Sequence, residues 1–217
     1  MTKVGVFDSG VGALSVINAI KRDIPDIEIV YKDDKEHVPY GTRNIDEIYG
    51  FVKPIFQEFI DQGCRVIVIA CNTVTTNLAT RLRSDFPDTP MVGMEPAVKP
   101  AAEMTKTRLI TVCATPRTLS SDRYQWLKKE YAQGVEVYEP DCSEWALMIE
   151  NNRVERDKIA KTIEKACDRG ADVIVLGCTH YHWIEELIKE EADGRAQVIQ
   201  PEKPVIKQLK LVLEQLT

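Results

Sequence analysis

The chain has 217 residues, 44% apolar and 29% charged, and its 28 Lys and Arg against 34 Asp and Glu leave a net charge of −6. That is too apolar for a disordered chain and too acidic for a protein built to follow a phosphate backbone, which carries a basic stripe. The length allows one large or two small domains, and such a chain buries roughly 70% of its unfolded surface without disulfide staples.

The N-terminal run Met1–Asp8 enters a strand directly, without the basic region, apolar stretch and cleavage site of a secretory signal. Its first strand, 3–7, ends in Asp8-Ser9-Gly10-Val11-Gly12, a turn of small residues. Further strands are predicted at 27–31, 66–70, 90–94, 108–112, 135–138, 173–176 and 197–199, all short apolar or β-branched runs. Between the second and third, Ile48, Val52, Ile55, Phe56 and Phe59 share one helical face; Val205, Leu209, Val212, Leu213 and Leu216 do the same near the C-terminus. Continuous apolar strands alternating with amphipathic helices predict an α/β fold with parallel sheets covered on both faces. Runs such as Val66–Cys71 are too short to span a bilayer. The six cysteines (64, 71, 113, 142, 167 and 178) are scattered without a C-x-x-C pair. The expectation is a cytoplasmic protein with reduced thiols and neither a membrane nor a nucleic-acid partner.

The chain also repeats itself. Gly63–Thr73 aligns with Gly170–His180 at an offset of 107, with five of eleven positions identical and a Cys in the same place. Thr2–Asp8 aligns with Thr107–Cys113 at 105, and Ile27–Val30 with Val135–Tyr138 at 108. Near-constant offsets predict two pseudo-equivalent α/β domains split near 97–100, with the active site in the cleft between them. The first domain is 1–97 plus 203–217, whose helix returns to it; the second is 98–202. Ligands of parallel sheets bind beyond the carboxyl ends of the strands, so facing halves would put Cys71 and Cys178 on opposite walls of one cleft.

Cys71-Asn72-Thr73 and Cys178-Thr179-His180 each put a thiol at a strand end, followed by hydroxyl or amide groups and the free N–H groups of a helix start. That is a place to hold a carboxylate and to favour a thiolate. Two such thiols suit removal of a proton from one face of a carbon and delivery to the other. Asp8 and Glu150 are carboxylates able to tune them, and His180 is close enough to Cys178 to share its site. Two rival readings exist. Gly10-Val11-Gly12 with Asp33 or Asp34 resembles a dinucleotide turn, but Ser15 fills the third glycine position and Asp8 would repel a pyrophosphate. Cys71, Cys178 and His180 are metal-ligating types without paired spacing, so no metal is expected.

At these residues the chain resembles the cofactor-independent aspartate/glutamate racemases. The matching blocks are Phe7-Asp-Ser-Gly-Val-Gly-Ala-Leu-Ser15, Asp34-Lys-Glu-His-Val-Pro-Tyr-Gly41, Ala70-Cys-Asn-Thr73, Gly93-Met-Glu-Pro-Ala97, Ala114-Thr115 with Thr118, and Leu176-Gly-Cys-Thr-His-Tyr181. Gly-Cys-Thr-His-Tyr resembles the glutamate racemases, where aspartate racemases carry Gly-Cys-Thr-Glu. The resemblance implies a cofactor-free homodimer that interconverts L- and D-glutamate and supplies D-glutamate for peptidoglycan. It makes Cys71 and Cys178 the two proton carriers, with Asp8, Glu150 and His180 as polar assistants. It assigns Ser9, Pro39, Tyr40, Gly41, Asn72, Thr73, Thr115, Thr118 and Thr179 to the substrate site. The alternatives are a racemase of another acidic amino acid such as aspartate, or a catalytically silent amino-acid-binding protein. Ala13, Asn44, Ser143 and His182-Trp183 depart from the family pattern, the last pair replacing Pro-Leu.

Overall fold

The computed structural model describes residues 1–216; Thr217, the last residue of the predicted returning segment, lies outside them. The first half runs β1 (Thr2–Asp8), α1 (Leu14–Asp23), β2 (Ile27–Asp33), α2 (Ile45–Asp61), β3 (Val66–Ile69), α3 (Asn72–Asp85) and β4 (Met91–Gly93). The second runs α4 (Val98–Met104), β5 (Leu109–Ala114), α5 (Pro116–Leu119), α6 (Asp122–Tyr131), β6 (Glu136–Tyr138), α7 (Trp145–Glu150), α8 (Arg156–Asp168), β7 (Val173–Gly177), α9 (Glu185–Ala192) and β8 (Gln197–Ile199). The helix α10 (Glu202–Gln215) closes the described chain. All eight predicted strands are present, with no end shifted by more than two residues.

The strands form two four-stranded parallel sheets, ordered β2-β1-β3-β4 and β6-β5-β7-β8. Both faces of each are covered, which is why the strands read as unbroken apolar runs. In the first sheet, Phe7, Ile67 and Ile69 pack with Ile48, Val52, Phe56 and Phe59 of α2 and Leu78 and Leu82 of α3. Val4, Val6, Val66 and Val68 point the other way, onto Val16 and Ile20 of α1 and Val205, Ile206 and Leu209 of α10. The second sheet repeats the plan. Cys113, Ile174 and Leu176 meet α7, α8 and α9, while Ile110, Val112, Val173 and Val175 meet α4 and α6.

The register between strands corrects one sequence alignment. Val4 pairs with Val66 and Ile110 with Val173, so β3 maps onto β7 at 107 but β1 maps onto β5 at 106, where 105 was expected. A slip of one residue moves every side chain to the opposite face. Asp8 therefore corresponds to Ala114, Ser9 to Thr115, and Phe7 to the core residue Cys113. Strand order reverses between β1 and β3 and again between β5 and β7. These two crevices are where such sheets hold ligands.

Candidate active site

The carboxyl ends of β1 and β3 carry Asp8, Ser9 and Cys71; those of β5 and β7 carry Thr115 and Cys178. Each Cys caps the helical segment that follows in extended conformation, Cys71 with φ −142° before α3 and Cys178 with φ −147° before a 3₁₀ segment, Thr179–Ile184. The helix start expected after Cys178 is a 3₁₀ turn. The two crevices merge into one cavity lined by Ser9, Pro39, Tyr40, Gly41, Cys71, Asn72, Thr73, Thr115, Ala146, Cys178, Thr179 and His180. Its empty space is about 290 Å³, of which only about 10 Å³ is open to the centre of a water molecule. Of the predicted substrate-site residues only Thr118 is set back from the wall. It supports the wall by accepting from the Thr115 hydroxyl (3.0 Å), which also lies 3.0 Å from Thr73 Oγ1 of the other half.

On one wall, Cys71 is 3% exposed, with Sγ 3.6 Å from Ser9 Oγ. Burial, with the nearby Asp8 carboxylate next in weight, pushes its thiol up to about 12. On the other wall, Cys178 Sγ lies 3.9 Å from His180 Nδ1. His180 Nε2 donates to Glu150 Oε2 at 2.7 Å, and the Val11 N–H reaches that same oxygen at 3.5 Å. Burial pulls the His180 imidazolium down, yet its bonds to Cys178 and Glu150 and the charge of Asp8 outweigh burial and raise it to about 11. The His180 bond in turn lowers the Glu150 carboxyl. An imidazolium–carboxylate pair therefore stands behind Cys178 at neutral pH.

Asp8 and Glu150 do not line the cavity. Asp8 Oδ2 accepts from the Gly10 and Ala13 N–H groups (3.4 and 3.1 Å), and Oδ1 accepts from the Thr179 hydroxyl at 3.1 Å. Complete burial raises its carboxyl to about 6, with the His180 charge pulling back. The amides a pyrophosphate would need after β1 are thus occupied by Asp8, which disposes of the dinucleotide reading. The glycines there serve a close approach between halves. A Cβ on Gly10 would lie 2.6 Å from Glu150 Oε2, and one on Gly12 2.5 Å from Thr179 Cβ. Among the described residues no three His, Cys, Asp or Glu side chains are grouped to hold a metal, and no helix is long and apolar enough to cross a membrane.

Three contributors were missed from sequence. Ala146 on α7 forms part of the wall. Tyr31 donates from β2 to the Gly10 carbonyl at 2.9 Å, bracing the turn. Trp183 donates its indole N–H to the Val11 carbonyl at 3.2 Å. Only Trp183 had a signal, as a departure from the family pattern, and nothing in that pattern says what it touches.

The model of the Asp/Glu/hydantoin racemase family matches residues 9–215. The chain is 37% identical over 214 residues to the glutamate racemase of Pseudomonas aeruginosa, covering 97% of this chain and 81% of that protein. Among solved structures, the glutamate racemase isoform RacE1 of Bacillus anthracis superposes with a TM-score of 0.84 at 27% identity, covering 99% of this chain and 82% of that one. The Francisella tularensis glutamate racemase in complex with D-glutamate gives 0.83 at 28% identity, with 99% and 81% covered. By sequence over nearly its whole length and by superposition on solved glutamate racemases, the chain belongs to the Asp/Glu/hydantoin racemase family.

Proposed function

We propose that the protein is a glutamate racemase that interconverts the enantiomers by two thiols acting from opposite faces of the α-carbon. The observation that carries this reading is the placement of Cys71 and Cys178, from opposite halves of the chain, in the wall of one cavity. Cys71 retains its proton at neutral pH, so it is the proton donor when Cys178 acts as the base. When Cys178 takes the α-proton, the imidazolium of His180 stands 3.9 Å from the sulfur, and Cys71 supplies a proton to the opposite face. The roles exchange for the other enantiomer.

Both amide atoms of Asn72 are buried without a hydrogen-bond partner among the described residues. An orphaned polar group costs about 1–3 kcal/mol, which a substrate carboxylate or ammonium would offset. Asn72 also opens α3, whose free N–H groups favour an anion. With Thr73, Thr115 and Thr179 they give the carbanion-like transition state fixed dipoles in a site with little room for water. Kinship to a relative that holds D-glutamate favours glutamate over other acidic amino acids. The cavity is too small for an amino acid as it stands, so we read 1–97 with 203–217 and 98–202 as two bodies that part to admit substrate. The packing of α10 on the first sheet supports that division. A cytoplasmic homodimer that supplies D-glutamate for peptidoglycan completes the reading and rests on the family alone.

The deciding experiment is proton NMR of L-glutamate with the purified, reduced protein in D₂O without added cofactor, followed by chiral analysis. Loss of the α-proton signal with appearance of D-glutamate is expected. A folded protein that leaves the signal intact would refute glutamate racemisation; the same assay with aspartate then identifies a different acidic substrate.

A further inference from the structure

We propose that Trp183 is a positioning residue: its indole latches the two halves of the closed enzyme and holds the pair behind Cys178 in place. The proposal builds on the racemase reading and adds a residue to it. Trp183 lies on the same 3₁₀ segment as His180, and the residue is 55% exposed, so burial does not explain its direction. Its N–H donates across the boundary to the Val11 carbonyl (3.2 Å). The N–H of that residue reaches Glu150 Oε2 (3.5 Å), which holds His180 Nε2 (2.7 Å), whose Nδ1 faces Cys178 Sγ at 3.9 Å.

These bonds close a ring from Cys178 through His180, Glu150 and Val11 to Trp183, and back along the chain to His180. Val11 is the one member from the first half, and both of its backbone polar groups face the second. When the halves part to admit an amino acid, the Trp183 and Glu150 bonds to Val11 break together, while the Glu150–His180 bond stays within the second half. Closure re-forms both, so the last constraint on Glu150 arrives only with substrate enclosed. Phe, or the family's Leu, fills space at this position but cannot donate to Val11. Cys71 has no part in the ring, and the latch therefore acts on one wall of the cavity.

That one-sidedness is the test. Trp183→Phe keeps the ring and removes the donor; about a fivefold loss of kcat, with a rise in KM, is expected from one hydrogen bond at a half-exposed site. Measured with α-deuterated substrates, the primary isotope effect on kcat/KM should rise for the enantiomer whose proton Cys178 takes and not for the other. An unchanged isotope effect for both enantiomers, or an equal rise for both, would overturn the latch. A second readout needs no activity. The ¹⁵N-labelled protein has three indole N–H signals. That of Trp183, assigned by its contact with Val11, should exchange with solvent several-fold more slowly than a free indole. Exchange at the free rate would refute the bond even if Trp183→Phe failed to fold. Absence of racemisation in the parent protein, with a protected indole, would instead place the failure in the racemase reading.

Discussion

Cys71 and Cys178 end the same piece of local structure, a buried parallel strand stopping at an extended Cys that caps a helical turn, yet their surroundings are opposite in charge. Cys71 sits with Ser9 and near the Asp8 carboxylate in a dry pocket, and keeps its proton. Cys178 faces an imidazolium that Glu150 holds charged. The backbone repeat therefore supplies two equivalent positions and no chemistry that distinguishes them. The distinction comes from unmatched neighbours: the register equivalent of Asp8 is Ala114, and that of His180 is Thr73. The proposed two-thiol racemisation gains from such broken symmetry, because two identical sites would share their protons equally.

The strongest way to break the comparison is to remove either sulfur. Cys71→Ser and Cys178→Ser should each lower racemisation by about 10³-fold, within the range for losing a general acid or base. Chiral chromatography of the product checks this; activity surviving in either variant would mean the walls are not partners. Next, His180→Asn should cost about 10²-fold in kcat and affect isotope effects on one enantiomer only. Because His180 is raised in the folded state, the stability it confers is complete below about pH 6.5, its ordinary value, and drains away as pH rises towards about 11. The gap between the urea midpoints of wild type and His180→Asn should thus narrow from pH 6 to pH 9.

Asp8 should show the reverse origin of pH dependence. Its carboxyl is raised to about 6 by burial, so the folded state binds the extra proton, and the stability that Asp8 contributes should fall as pH rises from about 4 through 6. Asp8→Asn removes that titration, and its urea midpoint relative to wild type should be higher at pH 7 than at pH 4, while activity drops about tenfold. A relative midpoint flat across this window would show that Asp8 titrates at its ordinary value. The smallest effect is expected at Ser9→Ala, which deletes a long contact to Cys71 and should lower kcat by about threefold.

Much of this was legible in advance. Strands buried on both faces announce themselves as apolar runs, and the Cys-(Asn/Thr)-(Thr/His) endings mark where those runs stop. Pro39, Tyr40 and Gly41, known only through the family resemblance, indeed line the cavity. The same reading made Asp8 a polar assistant of the thiols; the structure sets it behind the cavity, its oxygens taken by Gly10, Ala13 and Thr179. It explained Gly10 and Gly12 by the sharpness of a turn, whereas Glu150 and Thr179, more than a hundred residues away, leave no room for a Cβ.

The sequence by itself determined the α/β class, the eight strands, the duplication and the two thiols at matching strand ends. All of these follow from local period and residue type, which act over a few residues of chain. Only the tertiary structure decided the register of β1 against β5, the merging of two crevices into one cavity, and the ring from Cys178 through Val11 to Trp183. Those depend on hydrogen bonds and close contacts between segments from 30 to more than 170 residues apart, and no local pattern records which distant atom a donor will meet.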